Sequence, residues 1–276
     1  MLTCLPFVYI VVKRGMSSRI DDIMDYLRNE TRVEHRRVEM LPFAGALAAS
    51  QLALESYVAF LDALRIIHAN LESAFSTTQH PVLRGIWTDD LRLLPHIESD
   101  LAFFAPRKLV KSSVVMIRAQ IVAQRIRQRS FDEPLSLLGY LYVLTGATLG
   151  GTILKDQVAD TFGLVDSHGL SFLSIHAEGK NSPWAGFRRR MNAVSLGVAE
   201  RRCLVEAANE AFAFIAQILE ALHPFEVTDP NILLRTLNWE AGKHMVPLDE
   251  REIEAALRAG ERSLYEFPYY RRRYGA

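Results

Sequence analysis

Cysteine is scarce: Cys4 and Cys203 are the only two in 276 residues. Two thiols cannot build a disulfide framework or a cysteine-rich zinc or iron–sulfur site, which fits a reducing compartment. Paired histidines are missing as well. His35, His68, His80, His96, His168, His176, His223 and His244 are scattered singly, with no HxH, HExxH or close pair. A bound metal would therefore rest on His, Asp or Glu, and one His with a borrowed cofactor is easier to build than a polyhistidine cage. Neither sign of charge is in excess, since 32 Lys and Arg balance 32 Asp and Glu. No summed field then directs the chain to nucleic acid or to an anionic membrane. The longest early apolar run, Cys4 to Val12, falls well short of the roughly 20 residues needed to span a bilayer. Lys13 and Arg14 follow it directly, without the small residues of a signal-peptide cleavage site. Met16, with Ser17 and Ser18 behind it as helix caps, reads as a start, and residues 1–16 as an N-terminal extension.

What is present is an apolar share of 49%, enough for one large core or two small ones. Apolar residues recur at three- and four-residue spacing over most of the chain, without sustained period-two alternation. The fold class predicted is all-α. A first helix is expected from Ser17 or Ser18 to about Met40, broken by Pro42 to Ala46, and a second from about Ala49 to Ser76 with Leu52, Tyr57, Phe60, Leu64 and Ile67 on one face. A third segment ends at Phe104, and a fourth spans about Ser112 to Gln128. A glycine-punctuated helix follows Pro134 as far as Phe162. A long helix from about Trp184 to Leu222 carries the stripe Leu204, Ala208, Ala211, Ile215, Leu219 and Leu222. One helical domain is thus expected over 17–224. Residues 225–276 form an appendix whose tail mixes Arg271, Arg272 and Arg273 with Phe267, Tyr269, Tyr270 and Tyr274. Such a tail can stack on a nucleic-acid strand, or clamp onto the bundle or a partner subunit.

Three segments carry chemistry. In the first, Arg28, Arg32 and His35 fall within a helical arc of roughly 60°, with Arg28 about 10 Å along the axis from His35. An imidazole with two cations behind it suits a ligand that has a metal at its centre and carboxylates at its rim; a solvated, ion-paired face has the same composition. In the second, Gly139, Gly146, Gly150 and Gly151 punctuate an apolar helix. Each glycine costs about 1 kcal/mol against alanine there, so a flat ligand or a close helix–helix contact is implied. In the third, Arg188, Arg189 and Arg190 point in three directions, so at most two meet any one ligand. Further on, Phe212 and Leu219 share a side and can wall an apolar pocket or simply pack.

Together these segments resemble the haem oxygenase family over roughly residues 20 to 222. Thr31-Arg32-Val33-Glu34-His35 matches the family's Thr-basic-x-x-His, whose histidine is the axial iron ligand, so the resemblance implies His35 as that ligand. It implies Arg28 and Arg32 on the propionate side, with Thr31 in the motif between them. Gly146-Ala147-Thr148-Leu149-Gly150-Gly151 reproduces the family's G-x-x-x-G-G helix over the distal face, which implies Gly146, Gly150 and Gly151 at the oxygen site. Phe187-Arg188-Arg189-Arg190-Met191-Asn192 looks like Tyr-Arg-x-Arg-Met-Asn, with Arg188 as a propionate holder and Phe212 as the pocket phenylalanine at the family spacing. Gly169-Leu170-Ser171-Phe172-Leu173 resembles the segment that precedes it. Two positions depart from the pattern. Ala147 stands where many members have an aspartate that organises distal water, and Leu141 lies at the family's propionate tyrosine, flanked by Tyr140 and Tyr142. The glycine segment is similar to that of the bacterial branch associated with bacteriophytochromes.

The resemblance implies an all-α bundle in which haem is both cofactor and substrate. O₂ and externally supplied electrons open its ring to biliverdin, releasing CO and iron. No flavin or iron–sulfur motif is recognisable in the sequence, so a separate reductase or ferredoxin is the expected electron donor and a bacteriophytochrome a potential acceptor of biliverdin. A cytoplasmic protein is expected. Two alternatives stay open on sequence: a non-catalytic haem-binding protein of the same fold, suggested by Ala147, and a related helical enzyme using non-haem iron, with Glu30, Glu34, His35, His96 and Asp100 as ligands.

Overall fold

The structure, a computed structural model, describes residues 22–165, 168–175 and 182–225. The N-terminal extension, most of the C-terminal appendix and the aromatic-basic tail lie outside the described residues. Among the described residues every regular element is helical and no strand forms.

The first expected helix is two. Helix α1 (Ile23–Glu30) ends at Thr31, and α2 (Arg32–Glu39) resumes immediately. Thr31 causes the break: its hydroxyl donates to the Leu27 carbonyl at 2.8 Å while its own N–H uses the same oxygen at 2.9 Å. Back-bonding of this kind bends a helix without ending it. The predicted end near Met40 holds, but the segment Pro42 to Ala46 is itself helical: Pro42 occupies the first turn of α3 (Pro42–Ala48), where a proline costs no hydrogen bond. The remaining helices are α4 (Leu54–Thr77), α5 (Pro81–Ile86), α6 (Leu94–Phe104), α7 (Ser113–Asp132), α8 (Leu137–Gly146), α9 (Gly151–Phe162), α10 (Ser171–Ser174), α11 (Pro183–Asn192) and α12 (Val198–Leu222).

Two expected continuous helices are interrupted for identifiable reasons. The glycine-rich one passes from α8 through a 3-10 turn, Ala147–Gly150, into α9, with a bend of 64° where glycines cluster. The last one breaks between Asn192 and Val198, because Glu200 turns back to accept the Gly197 N–H at 2.7 Å and starts α12 afresh.

Helix α4 packs along α7 and α6, and α12 along α8 and α7, so the core lies between these long helices. The stripe on α12 is buried at Leu204, Ala208, Ala211, Leu219 and Leu222, with Ile215 partly covered. Close approach of α8 to α12 explains Gly139: a Cβ there would meet the Leu204 carbonyl and sit 2.8 Å from the Ala208 nitrogen. Gly169 is required in a different way. Its φ of 78° is left-handed, and a side chain would press on Phe103 and Phe104.

Candidate functional site

Helix α2 buries none of its residues. Its sequence, RVEHRRVE, offers almost nothing apolar to a core, so it is held from outside. Arg37 reaches Glu220 of α12 at 3.7 Å, and the His35 ring stands edge-on to Phe212 at 5.6 Å and 82°. The imidazole is nevertheless 56% exposed, with Nδ1 3.4 Å from the Glu39 carboxylate. A carboxylate beside Nδ1 favours the tautomer with the proton on that nitrogen, leaving the Nε2 lone pair for a ligand. Phe212 is buried on α12 and backs the imidazole.

Thr31, itself buried, faces the Tyr142 hydroxyl of α8. Burial is the main cause holding Tyr142 above the ordinary phenol value, with Asp25 adding to it. The Thr31 side chain and the Arg28 and Arg188 cations pull the other way and do not prevail. The phenol therefore stays protonated and able to donate at neutral pH. Arg28 and Arg32 are exposed, and Arg188 on α11 pairs with Asp25 on α1 at 3.1 Å. The exposed Asp25–Arg188 pair is a weak one that another anion can replace. The structure thus brings Arg28, Thr31, Tyr142 and Arg188 to one rim and seats His35 on Phe212.

The three arginines of α11 divide their work. Arg190 donates from Nε to the Ile86 carbonyl at 2.8 Å and from a terminal nitrogen to Thr88 at 2.7 Å, so it anchors α5 and the turn after it. Arg188 is the one at the rim. Asn192 closes the same motif by accepting the Met24 N–H at 3.1 Å, which fixes the start of α1 on α11.

The glycines are not equivalent. Gly151 is buried, and a Cβ there would lie 2.7 Å from the Leu173 carbonyl, so α9 and α10 need it for contact. Gly146 is partly exposed, and a Cβ would touch only the Trp184 ring, at 3.5 Å. Among the described residues no backbone of another element crowds Gly146, and the Trp184 ring lies at ordinary contact distance from it. Gly150 lies partly exposed in the 3-10 turn, and Ala147 is exposed beside it.

The non-haem ligand set does not assemble. Asp100 accepts from the Ser171 and Phe172 N–H groups at 2.7 and 2.9 Å, and His96 Nδ1 meets Ser171 Oγ at 2.8 Å. Both residues are engaged in securing α10. Among the described residues no group of three His, Cys, Asp or Glu is placed to hold a metal ion. A cleft of about 430 Å³ lined by Val58, Asp62, Leu101 and Lys111, among others, shares no residue with the His35 site.

Sequence reasoning missed several partners. Asp25 escaped notice because its partner is 163 residues away. Trp184 marks a helix start in the sequence, and its i,i+4 spacing to Arg188 places both on one face. Glu210 was part of no motif, yet it accepts from Arg125 at 2.8 Å, Arg129 at 2.6 Å and Tyr140 at 2.7 Å, tying α12 to α7 and α8.

Comparisons with known proteins bear on the chain as a whole. The family model described as Heme oxygenase matches residues 21–221. Heme oxygenase of Takifugu rubripes is 29% identical over 207 residues, covering 73% of this chain and 74% of that protein. Heme oxygenase 1 of Synechocystis is 22% identical over 203 residues, covering 73% and 85%. Fish and cyanobacterial relatives thus both match, and neither singles out a branch. Among solved structures, heme oxygenase-1 of Synechocystis in complex with heme superposes with a TM-score of 0.66 at 21% identity, over 82% of this chain and all of that one. The heme oxygenase of Leptospira interrogans gives 0.64 at 22%, over 72% and 98%. A histidine helix with no buried side chain, a bent glycine segment and a family match spanning both lead to one conclusion: the chain belongs to the haem oxygenase family.

Proposed function

We propose that this chain is a haem oxygenase that opens the haem ring to biliverdin, with release of CO and iron. The observation that carries the reading is His35: a half-exposed imidazole on a helix with no buried residue, backed by Phe212 and oriented by Glu39. The donor set fits haem. The His35 imidazole would hold the iron, Arg28 and Arg188 at the rim and Arg32 exposed on the His35 helix would meet the carboxylates, and Gly146 would let backbone approach a flat ring. Haem when bound supplies the iron that activates O₂ and is itself the molecule oxidised.

The chain's own groups position and exclude. Glu39 fixes the His35 ring, and Phe212 stops it from tilting toward α12. Arg28, Arg32 and Arg188 would hold the carboxylates and so orient the substrate. Tyr142, kept protonated, donates at the same rim. Gly146, Gly150 and Gly151 keep the distal segment close and bent, while Ala147 contributes no carboxyl group, so the proton would have to come from ordered water or another donor.

Electrons come from a separate reductase or ferredoxin in this reading, because two cysteines are too few for a cysteine-ligated cluster. The same cysteine count supports a cytoplasmic setting, and no single helix among the described residues is long and apolar enough to cross a membrane. The Gly146–Gly151 sequence supports a bacteriophytochrome as the acceptor of biliverdin. The test is a haemin titration of wild type against His35→Ala. Wild type should give a one-to-one complex with a Soret band, and a verdin absorbance after reductant and O₂; His35→Ala should lose the His-ligated spectrum. Haem uptake without ring opening would reduce the protein to a haem carrier, and no uptake would overturn the reading.

A further inference from the structure

Trp184 stands at the junction of the rim and the glycine segment. Among the described residues, its six-membered ring is what a Cβ at Gly146 would meet within 4 Å outside its own helix, with Cη2 at 3.5 Å and Cζ3 at 3.7 Å. The same indole tilts against Tyr142 at 6.1 Å and Phe187 at 5.4 Å. Phe187 is fully buried and Trp184 only partly, so the indole is fixed on one side and open on another. Arg188 lies one turn further along α11, about 6 Å away along the axis and on the same face. Helix α11 therefore presents an apolar plate and a cation side by side, the plate against the bare distal backbone and the cation against an exchangeable carboxylate, Asp25.

We propose that Trp184 is a positioning residue that selects how haem seats: a rigid aromatic wall at Gly146 that admits one orientation of the ring edge while Arg188 holds the carboxylate edge. The inference rests on the haem reading of His35. Arginines alone cannot make this choice, because the two propionates are chemically alike, and a ring flipped over still offers both to the same cations. The flip exchanges methyl and vinyl groups at the other edges, and only a wall in van der Waals contact senses that difference. An indole has two rotatable side-chain bonds, and contacts with Tyr142 and Phe187 restrict both.

The test compares wild type, Trp184→Phe and Trp184→Ala as full-length chains loaded with haemin, by proton NMR of the cyanide-bound ferric haem methyls and by transfer of haem to apomyoglobin. Wild type should show one dominant set of methyl resonances. Trp184→Ala should show two sets of comparable intensity and lose haem about tenfold faster, the loss of one aromatic contact; Trp184→Phe should restore a single dominant set. If the alanine variant does not fold, the phenylalanine variant and Trp184→Leu, which keeps apolar volume without the plate, carry the test, with leucine expected to give two sets. Two comparable sets in wild type, or one set and unchanged transfer in Trp184→Ala or Trp184→Leu, would overturn the inference while leaving the His35 reading intact. A wild-type protein that takes up no haemin would overturn both.

Discussion

At the scale of single residues, two glycines of one motif have different physical reasons to be glycine. Gly151 faces the Leu173 backbone, which cannot yield to a methyl group, whereas Gly146 faces only the edge of a side chain. Gly151→Ala should therefore cost about 1–3 kcal/mol in urea denaturation, the usual penalty for overpacking. Gly146→Ala should leave the protein as stable or up to about 1 kcal/mol more stable, since its backbone is helical and no buried contact is displaced, and should weaken haemin binding in a spectral titration. Equal destabilisation of the two variants would contradict this division. The motif was legible in the sequence because glycine in an apolar helix is conspicuous. Its division of labour was not, because a Cβ clash depends on the chain opposite, and Leu173 and Trp184 arrive from other helices.

Among elements, the site depends on short helices that cannot hold themselves. Helix α10 has four residues, too few to be stable alone. Asp100 of α6 accepts two of its free N–H groups and so substitutes for a cap. Burial raises the Asp100 carboxyl above its ordinary value, against the lowering effect of those two bonds. Asp100→Ala should cost about 2 kcal/mol in chemical denaturation, the loss of charged hydrogen bonds to buried donors. Hydrogen exchange should rise first at Ser171 and Phe172; unchanged exchange there would contradict the capping role. The sequence suggested Asp100 as an iron ligand because a buried carboxylate and a metal-binding one look alike before the partners are known. Helix α2 is the converse case. Its motif was legible as a His and Arg face, while the bend at Thr31 that separates it from α1 depends on the Thr31 hydroxyl choosing the Leu27 carbonyl.

For the whole molecule, the charge balance hides a half-buried network that joins three long helices. Burial works to raise the Glu210 carboxyl, but hydrogen bonds from Arg129, Tyr140 and Arg125 prevail and hold it below its ordinary value. A carboxyl depressed in the folded state stabilises fully above its unfolded value, about 4.5, and the stabilisation is lost as pH falls through that value toward the folded one. Glu210→Gln should thus be less stable than wild type at pH 7, and the gap in thermal midpoint should close on acidification below the carboxylate range; a gap that persists in acid would refute the linkage. The sequence by itself determined the helical class, the positions of most helices and the His35, glycine and Arg188 motifs. These follow from apolar period, helix-breaking residues and residue chemistry, all of which are local along the chain. Only the tertiary structure decided that Arg188 meets Asp25, that Phe212 backs His35, that Trp184 lies over Gly146 and that Glu210 gathers Arg125, Arg129 and Tyr140. Those pairings join residues far apart in the chain. They are fixed by how helices pack, because the contact energy of a side chain depends on what the fold places opposite it.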